Sequence, residues 1–163
     1  MFTLTVFVTE LAEPYINSDV NSFKKKVDEI LTDDAKKNIQ RSNSNGIFII
    51  TFLMQTAASQ KLDVEKCTEC IEYLFSKICE CQDIKNYVAD GIKIQEKMNQ
   101  NDVFSYEIKE TVNRIIGYDV PNYFKLEYVE LLLTLYLNDS ENIKENINEI
   151  KKLSDMVKTI RNE

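Results

Sequence analysis

The chain has no histidine and no tryptophan, and its 163 residues include only three glycines and two prolines. Without imidazole there is no Ser-His-Asp or Cys-His relay, no histidine metal ligand and no histidine pH switch. So few turn-forming residues argue against a sandwich or barrel, and against disorder as well. Gly46, Gly91 and Gly117 are too scattered to build a Gly-rich phosphate loop. No D-x-D-x-D-G calcium loop occurs. Long apolar runs are also missing. Ile47–Met54 and Leu131–Leu137, each interrupted by a threonine, fall well short of the roughly 20 residues that span a bilayer. The start, MFTLTVFVTELAEPYI, carries neither the positive n-region nor the small-residue cleavage site of a signal peptide. These features lead us to expect a cytoplasmic protein with no membrane partner.

What remains is 44% hydrophobic and 29% charged. This length suits one helical domain over 1–163, which can bury about two thirds of its unfolded surface without disulfides. Twenty Lys and Arg against 27 Asp and Glu give a net charge of −7. Sequence-independent nucleic-acid binding needs cations to displace condensed counterions, so no nucleic-acid partner is expected. Anionic membrane surfaces are disfavoured by the same charge. It suits a basic protein partner, because complementary potentials speed encounter, and it also serves solubility alone.

Apolar periodicity divides the chain into successive helices. Residues 3–13 are ambiguous. Leu4, Val6 and Val8 alternate as in a strand, while Leu4, Phe7, Val8 and Leu11 fit one helical face. No second strand is available as a partner, so a helix ending before Pro14 is expected. Ser18 or Asp19 caps the next helix, with Phe23, Val27, Ile30 and Leu31 inside and Lys24, Lys25 and Lys26 outside. Asp33 and Asp34 open a short turn carrying Ala35 and Ile39. Arg41–Gly46 has the composition of a loop. Ile47–Gln60 is apolar on nearly all sides and is expected to be central. Asp63 caps a helix running to Cys81, and Asp83–Asn99 follows, with Gly91 marking a kink or a close helix crossing. Asn99–Asp102 is a polar connection. Asp102 caps a helix bearing Phe104, Ile108, Val112, Ile115 and Ile116, closed by Gly117 at C′. Asp119-Val120-Pro121 reads as a turn. Asn122–Asn138 is the second mostly apolar helix. Ser140 caps the last, whose seam of Ile143, Ile147, Ile150, Leu153, Val157 and Ile160 covers one side only. The expected fold is all-α, a compact multi-helix bundle or short α-solenoid of about seven to eight helices. The last seam leaves room for a monomer or a weak dimer.

Cys67-x-x-Cys70 has the spacing of half a zinc or redox motif, with Cys79 and Cys81 beyond it. On a single helix from Asp63 to Cys81, Cys70 and Cys81 share a face but sit about 16 Å apart along the axis. Four thiolates could then converge on zinc only if the helix broke near Ile78. The expectation is cysteines that serve as small buried or half-buried hydrophobes in a reducing cytosol. Glu69 with Glu72, Glu127 with Glu130, and Glu145 with Glu149 fall at metal-ligand spacing, but they alternate with the apolar stripes and so face water. No catalytic residue, metal or cofactor is expected.

Charge is segregated. From Asp102 to Glu149 there are ten acids against four bases, a net of −6, whereas Lys24–Arg41 has six bases against four acids, or +2. Tyr118, Tyr123, Tyr128 and Tyr136 lie in or beside the acidic stretch. Amphipathic rings anchor a contact while acids pair with Lys or Arg, so this stretch is the candidate surface for a basic partner. The candidate contact residues are Glu107, Glu110, Asp119, Tyr123, Glu127, Tyr128, Glu130, Asp139 and Glu141. The alternative for the tyrosines is a core position with the hydroxyl reaching water.

In size, net charge, lack of catalytic motifs and Lys/Asn/Ile-rich style, as in Asn142–Lys152, the chain resembles the small acidic immunity proteins of bacterial toxin systems, including contact-dependent growth inhibition. That resemblance implies a non-enzymatic, cytoplasmic inhibitor that covers the active cleft of a cognate basic, nuclease-type toxin. A second resemblance, in size, helix count and the apolar helix at Ile47, is to the Bcl-2-like proteins of large DNA viruses. That family's Asn-Trp-Gly-Arg signature is missing, with only Asn45-Gly46 in its place. The third expectation is a helical scaffold or regulator docking a partner on the last helix.

Overall fold

The computed structural model describes residues 1–101, 106–139 and 141–163. Among these there are nine helices and no strand: α1 (Leu4–Ile16), α2 (Val20–Ile30), α3 (Asp33–Arg41), α4 (Asn43–Ser59), α5 (Val64–Ser76), α6 (Ile84–Asn99), α7 (Tyr106–Gly117), α8 (Asn122–Asn138) and α9 (Ile147–Arg161). The all-helical class is as expected, and the count exceeds the expected seven to eight. The expected Asp102 cap with Phe104, and the Ser140 cap, lie outside the described residues.

The ambiguous start is helix, because Phe7, Val8, Leu11 and Tyr15 bury one face against α2 and α4. It does not stop before Pro14. The proline sits in the last turn, where its missing N–H forgoes only the bond to the carbonyl of solvent-exposed Glu10. Asp19 caps α2 by accepting from the Ser22 amide, and Thr32 and Asp63 cap α3 and α5 in the same way.

Arg41–Gly46 is not a loop. Only Ser42, with extended backbone, separates α3 from α4. The polar residues form the first turn of α4, and Asn45 donates its side-chain amide to the Asn38 carbonyl at 2.7 Å, satisfying an orphan acceptor in the last turn of α3.

Scarce glycine shows at the helix ends. Ser18, Lys61 and Asn101 take the left-handed conformation at helix ends, where glycine is the usual residue. Gly117 does not do so. It is the last residue of α7, and no glycine has a positive φ.

Helix α4 is the hub. It packs against α1, α3, α5, α6 and α8, so its neighbours are not merely the next helices in sequence, as they would be in a solenoid. Two buried phenols fix its surroundings. Tyr15 donates to the Leu53 carbonyl at 2.7 Å, tying α1 to α4, and Tyr87 donates to the Phe124 carbonyl at 2.9 Å, tying α6 to α8. Gly91 of α6 marks a close crossing rather than a bare kink. A Cβ there would stand 2.6 Å from Met54 Sδ and 2.9 Å from the Tyr128 hydroxyl. One apolar cluster runs through these contacts from Phe7 to Ile160.

Helix α9 lies on the outside, packed on α8, as its one-sided seam implies. The seam is shorter than expected. Leu153, Val157 and Ile160 are buried, but α9 begins at Ile147, and Ile143 and Ile147 are exposed.

Candidate functional site

Helices α7 to α9 carry five of the ten acids of the acidic stretch, Glu107, Glu110, Glu127, Glu130 and Glu149. Viewed down α8, residues spaced by three and four put Tyr123, Glu127, Glu130, Thr134 and Leu137 along one outward line. Phe124, Tyr128, Val129, Leu132 and Leu135 are buried. The candidate contact residues therefore fall into three groups.

The first group is already neutralised. Glu107 of α7 reaches Lys93 and Lys97 of α6, both at 2.8 Å. The hydrogen bond from Lys93, followed by that from Lys97, pulls its carboxyl down to about 2. Glu130 receives Arg161 of α9 at 2.6 Å. A neighbouring ion pair runs from Arg114 to Asp90, which also accepts from the Tyr118 hydroxyl at 2.7 Å. Part of the segregation seen along the chain is thus offset, at Glu107 and Glu130, by cations on the flanking helices.

The second group is structural. Tyr128 is 4% exposed and packs its ring edge-on against Tyr87 at 5.7 Å, so it cannot touch a partner and is withdrawn from the surface. Burial raises its hydroxyl pKa first, with Glu127 adding to it. Asp119 is exposed but holds a clasp between the α5–α6 linker and the α7–α8 turn. Its carboxylate accepts from the Gln82 amide at 3.2 Å, and its own amide donates to Asp83 Oδ2 at 2.7 Å. The Asp83 amide returns a bond to the Asp119 carbonyl at 3.2 Å. Asp139 ends α8 and accepts from the Asn142 side chain. Tyr123 is half-buried, edge-on to Phe124 at 4.8 Å.

The third group is free. Glu110, Glu127 and Glu141 are exposed and have no cation beside them among the described residues. Glu127 is the most informative. Its carboxyl is raised, first by desolvation against the helix surface and then by the charge of Glu130. An incoming cation would favour the ionised form and so oppose both effects.

The cysteines form two separate pairs, because α5 ends at Ser76 and not at Cys81. The break falls near Ile78. Cys67 and Cys70 are buried beneath Tyr15, while Cys79 and Cys81 lie in the linker with their sulfurs 3.7 Å apart. Among the described residues no three His, Cys, Asp or Glu side chains stand where they could hold a metal ion. The signal for the break was Asp83. A helix cap there leaves no room for a chain reversal unless the preceding helix stops several residues earlier.

Between α2 and α5, the Lys24 and Lys77 ammonium groups flank the Tyr73 ring at 5.4 and 4.7 Å, and the Tyr73 hydroxyl donates to Asp28 at 2.6 Å. Asp28, one of the four acids of the basic stretch, is thus engaged by Tyr73 and by Lys77 from outside the stretch. No helix among the described residues is long and apolar enough to cross a membrane.

Together these features define an all-helical protein with an outward α8 line that is part acidic and part apolar. No family model matches the chain, and neither a curated protein nor a solved structure matches it.

Proposed function

We propose that this protein is a non-enzymatic, cytoplasmic binding protein that neutralises a basic protein partner. The partner class that fits best is a cognate nuclease-type toxin whose active cleft is covered, as an immunity protein covers it. The contact surface is the outward line of α8, with Tyr123, Glu127 and Leu137, extended by Glu110, Asp139 and Glu141. Glu130 contributes when Arg161 yields to a partner cation. Nucleases are cationic because their substrate is anionic, so an inhibitor of the opposite sign gains both encounter rate and register.

The observation that carries this reading is Glu127, an exposed carboxylate with a raised pKa and no cation beside it among the described residues. Left alone, such a group costs the free protein stability; paired across an interface, it favours the complex. Exposed Leu137 on the same line supplies apolar area for the contact.

The test is co-expression with the product of the reading frame directly upstream. Growth rescue of cells making that product, together with a purified complex that weakens as salt rises, is the expected result. Glu127→Lys should cut affinity at least tenfold, or about 1.4 kcal/mol, mainly through faster dissociation. Binding indifferent to both salt and this charge reversal would end the acidic-face reading.

A further inference from the structure

The linker between α5 and α6 carries a feature that the α8 surface does not use. Cys79 and Cys81 sit in non-helical chain, both half-buried, with their sulfurs at 3.7 Å, which is van der Waals contact. The linker is pinned at both ends. Gln40 of α3 donates its side-chain amide to the Ile78 carbonyl at 2.7 Å, and the Asp83–Asp119 clasp holds the far end. The sulfurs are neighbours because two other elements, α3 and the α7–α8 turn, fix the chain there. Cys81 also opens onto a cleft of ≈ 520 Å³ whose lining includes two lysines, Lys24 and Lys85, two carboxylates, Glu69 and Glu72, and the Tyr73 ring. Cys67 and Cys70, by contrast, are sealed in the core.

We propose that Cys79 and Cys81 are a dithiol site that exchanges with small-molecule disulfides of the glutathione class and closes to an intrachain disulfide. Cys81 attacks first, from the cleft. Its thiol gives up a proton, its sulfur bonds to one sulfur of oxidised glutathione, and the glutathione S–S bond breaks. One glutathione leaves and takes up a proton. The Cys79 sulfur, losing its own proton, then attacks the Cys81 sulfur. The mixed disulfide breaks, and the second glutathione leaves as a thiol. Two cysteine thiols are oxidised by two electrons and one glutathione disulfide is reduced to two thiols, with no other reactant. Glutathione disulfide is zwitterionic, and the cleft matches both signs: Lys24 and Lys85 suit its carboxylates, and Glu69 and Glu72 its ammonium groups.

Two properties follow. Exchange is slow near neutral pH, because burial raises both thiols, Cys79 to about 12, and little thiolate is present. The disulfide is labile, because C-x-C closure makes a small ring and draws the sulfurs to about 2.05 Å against the pinned linker. The site adjoins the α8 surface at Tyr123, whose hydroxyl pKa is raised by burial first and then by Cys79 and Cys81.

The experiment equilibrates the full chain in glutathione buffers from fully reduced to fully oxidised, approached from both directions. Samples are acid-quenched, alkylated and cut with trypsin. Lys77 and Lys85 place both cysteines on one peptide, Ile78–Lys85. In oxidised buffer this peptide should lose two hydrogens and take no alkyl group, while Cys67 and Cys70 stay alkylatable after unfolding. Excess reduced glutathione should reverse the change. Cys79→Ser should stop at a stable glutathione adduct on Cys81. A wild-type peptide that still takes two alkyl groups at equilibrium in oxidised buffer overturns the proposal. So does a disulfide at Cys67–Cys70 instead, or an adduct that forms in Cys81→Ser but not in Cys79→Ser.

Discussion

Helices α4 and α8 are both 17 residues long and apolar around most of their circumference, yet the fold uses them differently. Helix α4 is enclosed by five neighbours. Small residues, among them Gly46, Ala57 and Ala58, bring other helices close, and Gly46 is near enough to α8 that a Cβ would lie 3.6 Å from Phe124. Helix α8 is flanked by α7 and α9 and crosses α4, which leaves its outward line in water. There Leu137 is 50% exposed and Glu127 has no cation beside it among the described residues. The lesson is that apolar composition sets how much a helix can bury, while the neighbours decide how much it does bury. The surplus on α8 is where a partner gains the most area.

The sharpest way to break this comparison is to truncate a leucine on each helix. Leu53 of α4 is fully buried, and Leu53→Ala should cost about 3 kcal/mol through lost transfer energy and the cavity left behind. Leu137→Ala should stay within about 0.5 kcal/mol. Urea denaturation with matched slopes measures both. Comparable losses would mean that α8 is as enclosed as α4.

Gly91→Ala probes the point where α4 and α8 both approach α6. The added methyl would press on Met54 Sδ at 2.6 Å and the Tyr128 hydroxyl at 2.9 Å. Methionine can move, but the Tyr128 ring is held edge-on to Tyr87. Overpacking of about 1–3 kcal/mol should exceed the roughly 1 kcal/mol that alanine gains in helix propensity, leaving a net loss near 1 kcal/mol. Relief of that loss in a Gly91→Ala/Met54→Ala double-mutant cycle would place the strain at the crossing. A stabilised Gly91→Ala would show the crossing to be loose.

How far the sequence could be read follows from what each signal depends on. Helical faces were legible where periodicity was long and one-sided, as in α2 and α9. The Asp63 cap was legible because its bond is local. The break after Ser76 was obscured, because the linker contains neither glycine nor proline and its bonds come from Gln40 and Asp119, far away in sequence. Arg41–Gly46 misled in the opposite sense. Its polar residues serve as the ends of two abutting helices, which composition does not separate from a loop. The candidate surface was legible only as a list of charges. That Lys93, Lys97 and Arg161 would silence Glu107 and Glu130 depends on packing between helices, as does the burial of Tyr128.

The finest division is between two glutamates of the same acidic stretch. Glu107 is depressed to about 2 from an ordinary value of 4.5, and Glu127 is raised. For Glu107 the folded state favours the ionised form. Its contribution is therefore present above pH 4.5 and lost as pH falls through about 2. Glu107→Gln should lower stability at pH 7, and the gap to wild type should close by about pH 2. For Glu127 the folded state favours the protonated form, so its penalty is complete above the raised pKa and absent below 4.5. Glu127→Gln should raise stability at pH 7, and the gain should fade in acid. Both groups are exposed, so these effects are smaller than those of the packing variants, and their opposite sign is the discriminating feature. Denaturation at stepped pH reads both variants against wild type. Shifts of the same sign at neutral pH would mean that the partnered and the unpartnered carboxylate are not distinct, and the α8 surface would lose the charge that distinguishes it.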